Sequence, residues 1–111
     1  MKRIIAERSG GPEVLRLVEE EIPEPGLGEA RVKVLAAGVA FGDLLWMSGV
    51  VPGSPKPPYS PGYDLVGVVD KLGTGTKSLG VGQRVAALVR TGGYAEYSCW
   101  PEDEQIGRAH V

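Results

Sequence analysis

Few residues in this chain have the types and spacing that chemistry requires. Cys99 and His110 are its single cysteine and single histidine, eleven positions apart near the end of 111 residues. A catalytic zinc takes three protein ligands, so this pair predicts no zinc site. Cys99 as a nucleophile would need a base beside it, and His110 falls in a tail with no predicted element to hold it. Cys99 therefore reads as a buried structural thiol, and a Ser-His-Asp arrangement fails on the same histidine. The glycine-rich pieces fail as phosphate cradles. Gly73-Thr74-Gly75 puts Ser78 where a third glycine is needed, and Gly80-Val81-Gly82 puts Val85 there; neither precedes a helical pattern. Lys77-Ser78 resembles the end of a phosphate loop, but the glycine required before the lysine is Thr76. Turns explain these glycines.

The elements that would position any site are short. Met1 to Ser9 predicts a strand around Ile4 and Ile5; Gly10-Gly11-Pro12 then turns the chain into an alternating run from Val14 to Glu19, giving an opening hairpin. Glu19 to Glu21 leads into Pro23-Glu24-Pro25-Gly26, a solvated turn. Val32-Lys33-Val34 alternates, and the small apolar run Leu35 to Val39 extends it as a buried core strand over Glu29 to Val39. Phe41 to Ser48 predicts one helix, with Asp43 in its first turn and Gly49 at its C-cap. Five prolines from Pro52 to Pro61 make Val50 to Pro61 an irregular lasso or lid. Tyr63 to Leu72 is the clearest strand, and Arg84 to Arg90 and Tyr94 to Trp100 add two more around Gly92-Gly93. About six strands and one short helix predict a mostly β domain, a small and partly open β-barrel.

Composition narrows the partners. With 17 glycines and 9 prolines the chain turns often, and 42% hydrophobic against 23% charged residues suits one folded domain rather than disorder. Net charge is −2 and the isoelectric point near 5.4, so no positive field exists to hold nucleic acid. One cysteine excludes an internal disulfide and fits the cytoplasm, and the first twenty residues contain no signal-peptide core or membrane span.

Four pieces in order carry a family resemblance: Gly38-Val39 to Asp43; Pro61-Gly62-Tyr63-Asp64-Leu65-Val66-Gly67-Val68-Val69 with Leu72-Gly73; Val81-Gly82-Gln83-Arg84-Val85; and Gly92-Gly93-Tyr94-Ala95-Glu96-Tyr97. Together they resemble the N-terminal, GroES-like catalytic domain of the medium-chain dehydrogenase/reductase superfamily, over Met1 to about Glu104. In zinc-dependent members the metal ligands are a cysteine and a His-Glu pair, where this chain has Ala40, Tyr63 and Asp64. The resemblance therefore implies the zinc-independent branch, similar to quinone oxidoreductases and enone reductases that take hydride from NADPH. Members of that branch commonly carry Asn at the Ala40 position and, in several, Tyr at that of Leu45 or Val51, so three polar positions are apolar here.

By the same resemblance Asp43, Tyr63 and Asp64 would be catalytic, Asp43 and Asp64 lying beside the nicotinamide edge. Ala40, Phe41, Trp46, Tyr59 and Tyr94 would line the substrate pocket, and Arg90 would meet a cofactor phosphate. Each has a plainer reading. Asp43 complements the helix dipole in any case; Tyr63 is either a pocket hydroxyl or a core ring with a satisfied hydroxyl; Arg90 simply ends a strand. Phe41 and Trp46, five apart, cannot both face the core, so one is exposed unless a partner covers it. The family's nucleotide-binding domain and returning C-terminal segment are absent, and residues 105–111 read as a tail left by truncation. The fragment is expected to be inactive alone and not to bind NADPH tightly. An exposed sheet edge and apolar patch then imply a homo-oligomer. The alternative function is a stand-alone GroES-like binding or oligomerisation module without catalysis.

Overall fold

The computed structural model describes residues 1–103 and 106–108; His110 lies outside them. Its elements are β1 (Lys2–Ala6), a 3-10 turn (Pro12–Val14), β2 (Leu15–Glu19), β3 (Glu29–Ala37), α1 (Phe41–Ser48), β4 (Asp64–Leu72), β5 (Arg84–Leu88), β6 (Tyr97–Pro101) and β7 (Ile106–Arg108). They form two antiparallel sheets, β1-β2 and the five-stranded β6-β3-β4-β5-β7. Neither closes into a barrel among the described residues, in keeping with the partly open β architecture that the sequence predicts.

The large sheet follows from two alternating strands. Val32 in β3 and Leu65, Gly67 and Val69 in β4 point to one face, and with Ala30, Val85 and Ala87 they build the main core. Gly67 is required at its place because a Cβ there would lie 2.3 Å from the Lys33 carbonyl oxygen. A second, smaller cluster of Ala6, Val14 and Met47 sits under the hairpin. The hairpin attaches through backbone: Ile4 N–H donates to the Tyr94 carbonyl at 2.8 Å and Ala6 N–H to that of Tyr59 at 2.7 Å.

Three expectations need correction. The run Leu35 to Val39 is not buried: Leu35 is 55% and Val39 81% exposed. A bulge between Val34 and Ala36 interrupts the alternation there, and the strand ends at Ala37. The strands flanking Gly92-Gly93 are not sheet neighbours. β5 pairs with β4, whereas the chain from Tyr94 crosses β1 and then pairs as β6 with the far side of β3. Residues 94–96 thus belong to the approach to β6 rather than to the strand.

Candidate functional site

Helix α1 starts where Ala40 leaves the extended region (φ −121°, ψ 160°) and stops at Gly49, whose left-handed φ of 77° suits a residue without Cβ. Alanine offers no side-chain cap, so Asp43 does that work in reverse: its Oδ2 accepts from the Ala40 N–H at 3.0 Å. The same carboxylate reaches two distant segments. Gly62 N–H donates to Oδ1 at 3.2 Å, and the Tyr94 hydroxyl donates to Oδ2 at 3.1 Å. Asp43 is only 5% exposed. Three donors compensate a buried charge that would otherwise be costly, so Asp43 knots the helix start, the Pro61-Gly62 turn and the Gly92-Gly93-Tyr94 turn together. Burial, reinforced by the Asp43 charge, pushes the Tyr94 phenol well above its ordinary range and raises that of Tyr59 as well. The Tyr59 hydroxyl is buried without a hydrogen-bond partner.

Asp64 clamps a neighbouring loop: its Oδ1 accepts from Gly38 N–H at 2.8 Å, where a Cβ on Gly38 would sit 2.3 Å from that oxygen. Tyr63 lies over α1, its hydroxyl 3.1 Å from where a Cβ on Gly42 would be. Phe41 is 73% exposed and Trp46 half-buried, dividing the two aromatics as their spacing requires. Arg90 donates from Nη2 to the Gly53 carbonyl at 2.9 Å and stacks on Trp46 at 5.4 Å. Cys99 has burial as its main influence: its thiol is pushed up to about 11 and lies 3.7 Å from the Pro23 carbonyl.

Between the hairpin and α1 runs a groove of about 420 Å³, walled by Ile4, Leu15, Val39, Leu44 and Met47, with Asp43 and Tyr94 at its side. The structure thus brings Asp43, Tyr94 and Tyr63 to the first turn of α1, while Arg90 and Trp46 meet at the helix's other end. Ile4 and Leu15, which wall the groove, carry no chemistry-bearing side chain and read in sequence only as strand positions, whereas Gly38 and Gly62, which bond Asp64 and Asp43, stand in the Gly38-Val39 and Pro61-Gly62 pieces of the resemblance. Among the described residues no three His, Cys, Asp or Glu side chains are placed to share a metal ion. At the positions that the resemblance matches to metal ligands, Ala40 carries no donor atom and Asp64 Oδ1 accepts from Gly38 N–H. Gly75 (φ 87°) and Gly82 (φ 90°) take left-handed conformations in turns, and Arg90, named by the resemblance for a cofactor phosphate, donates to the Gly53 carbonyl.

This groove-and-knot arrangement stands on a fold with clear kin. Residues 26–108 match the alcohol dehydrogenase GroES-like domain. The chain belongs to that family, the N-terminal domain of quinone oxidoreductase-like medium-chain dehydrogenases/reductases. It is 37% identical to the human synaptic vesicle membrane protein VAT-1 homolog-like over 91% of its own length and 24% of that protein. It is 37% identical to pig quinone oxidoreductase, over 93% of its length and 32% of the relative. The solved structure of the human VAT-1 homolog-like protein superposes with a TM-score of 0.91 at 35% identity, covering 97% of this chain and 35% of that one. Escherichia coli quinone oxidoreductase complexed with NADPH gives 0.89 at 32% identity, covering 97% and 33%. The chain therefore spans a quarter to a third of these relatives.

Proposed function

We propose that this chain is the acceptor-binding part of a zinc-independent, NADPH-dependent quinone or enone reductase whose nucleotide seat lies outside these 111 residues, and that alone it does not turn over. The groove carries this reading: it is almost wholly apolar, and beside it the Tyr94 hydroxyl donates to Asp43, whose carboxylate also accepts from Ala40 and Gly62 N–H. Such a wall suits a flat, uncharged acceptor. In the complete enzyme NADPH supplies the hydride. The chain's own part is to exclude water, orient the acceptor and donate a hydrogen bond to the oxygen on which charge develops. Tyr63, outside the groove's own walls, is the proposed donor, because its hydroxyl lies 3.1 Å from where a Cβ on Gly42 would be, at the first turn of α1. Asp43 and Asp64 hold the loops on either side. The same reading takes the protein as cytoplasmic and as a homo-oligomer paired through a sheet edge.

The test is a titration of the 15N-labelled chain with menadione, an uncharged quinone, followed by amide shifts. Perturbations should gather on Val39, Leu44, Met47 and Tyr63, and Tyr63→Phe should weaken binding about fivefold, the value of one hydrogen bond. NADPH should leave the same amides unmoved. Tight uptake of NADPH by the chain alone, or quinone-induced shifts scattered away from α1, would overturn the assignment. A defined ring in light scattering together with absence of quinone binding would favour the assembly module instead.

A further inference from the structure

The loop after α1 is tethered in an uneven way. Its root is firm: Tyr59 and Ala6 exchange backbone hydrogen bonds at 2.7 and 3.3 Å, and Ser60 accepts from Gly92 N–H at 2.7 Å. The stretch 51–58 is different. Within it, Ser54 N–H and Oγ both bond the Val51 carbonyl, a closed local turn. Among the described residues, one hydrogen bond joins 51–58 to the rest of the protein, that from Arg90 Nη2 to the Gly53 carbonyl at 2.9 Å. The guanidinium making it is stacked on the Trp46 ring, 5.4 Å from its centroid. Gly53 has φ +84°, a left-handed conformation natural to glycine, and a Cβ there would meet nothing within 4 Å.

We infer that Arg90 is the latch of a strap: one planar cation fastens the tip of the 51–58 loop to the C-terminal half of α1 by donating to Gly53 while lying on Trp46. The planar fork is what allows both contacts at once, since the guanidinium can present a face to the indole and an edge N–H to the carbonyl. Arg90 is itself exposed, so the latch lies in water and can open without disturbing either core. The prolines at 52, 55, 57 and 58 stiffen the strap, making it swing as a piece rather than fray. This inference stands apart from the proposed reductase role, since it concerns the other end of the helix and needs no ligand.

Gly53, Ser54 and Lys56 supply amide reporters in the strap. In the wild-type chain their 15N order parameters should approach those of ordered backbone, about 0.85, and in Arg90→Ala they should drop below about 0.6. The β4 amides should not change. Arg90→Lys keeps a charge and a donor but no planar face, and should lie between. Upfield ring-current shifts of the Arg90 Hδ protons should vanish in Trp46→Leu, a signature that a purely structural loss would not select. Unchanged order parameters at all three reporters in a folded Arg90→Ala protein would refute the latch. If Arg90→Ala does not fold, Arg90→Lys decides: a strap as rigid as wild type refutes it, a looser one supports it.

Discussion

The Asp43 carboxylate is where position and chemistry are hardest to separate. Its three donors come from residues 3, 19 and 51 positions away in sequence. Removing the side chain by Asp43→Ala would orphan all three, at about 3–5 kcal/mol in urea unfolding. Tyr94→Phe removes one donor only and should cost about 1 kcal/mol at neutral pH. Its second effect has a definite sign. The Tyr94 phenol is raised above its ordinary 10.0 by burial first and by Asp43 second, so the folded state favours the protonated form. That contribution is complete below the unfolded value and is lost as pH climbs through the range above 10. Wild-type melting temperature should therefore fall on the alkaline side, and Tyr94→Phe should flatten that limb while lying lower at pH 7. A limb equally steep in both proteins would show that Tyr94 does not carry it. The importance of Asp43 was visible in sequence from its place in the helix's first turn. Its bonds to Gly62 and Tyr94 were not, because no local pattern reports a contact across 19 or 51 residues.

Among the elements, the paired strands β3 and β4 are the least forgiving. A methyl group at Gly67 would meet both the Lys33 carbonyl oxygen at 2.3 Å and Val32 Cγ1 at 2.5 Å. One contact is backbone and the other a fully buried core side chain, so neither can yield cheaply. Gly67→Ala should lose at least about 3 kcal/mol or fail to fold, whereas Gly80→Ala, with open space around it, should stay within about 1 kcal/mol of wild type in the same chemical melt. Equal stability of the two would contradict the close approach of β3 to β4. Sequence disclosed these strands and α1 well, since alternation at Val32 and Val34, the Asp43 position and Gly49 are local signals. It missed the Pro12–Val14 turn, taking Pro12 as simple punctuation. It also began the last strand at Tyr94 where β6 starts at Tyr97, because the pairing of β6 with β3 is decided at long range in the chain.

At the scale of the molecule, the two apolar clusters differ in weight. Eight buried residues pack between and over the strands of the large sheet, with β4 bonded along both edges. Three buried residues hold the hairpin and α1, beside an open groove of about 420 Å³. Groove walls lack packing partners on one side, and each missing contact forfeits dispersion energy. The hairpin with α1 should therefore open more easily than the sheet, as a separate cooperative unit. In native-state hydrogen exchange the β1-β2 ladder amides should exchange about a hundredfold faster than those of β4, a gap of about 2.7 kcal/mol. An apolar ligand seated in the groove binds the closed form alone, so it should slow the hairpin amides in proportion to its occupancy and leave the β4 amides alone. Uniform protection across both sheets would mean that the groove is no weak point and that the chain unfolds as one piece. Protection of β4 rather than the hairpin by menadione would place the ligand elsewhere and remove the groove from the argument about function.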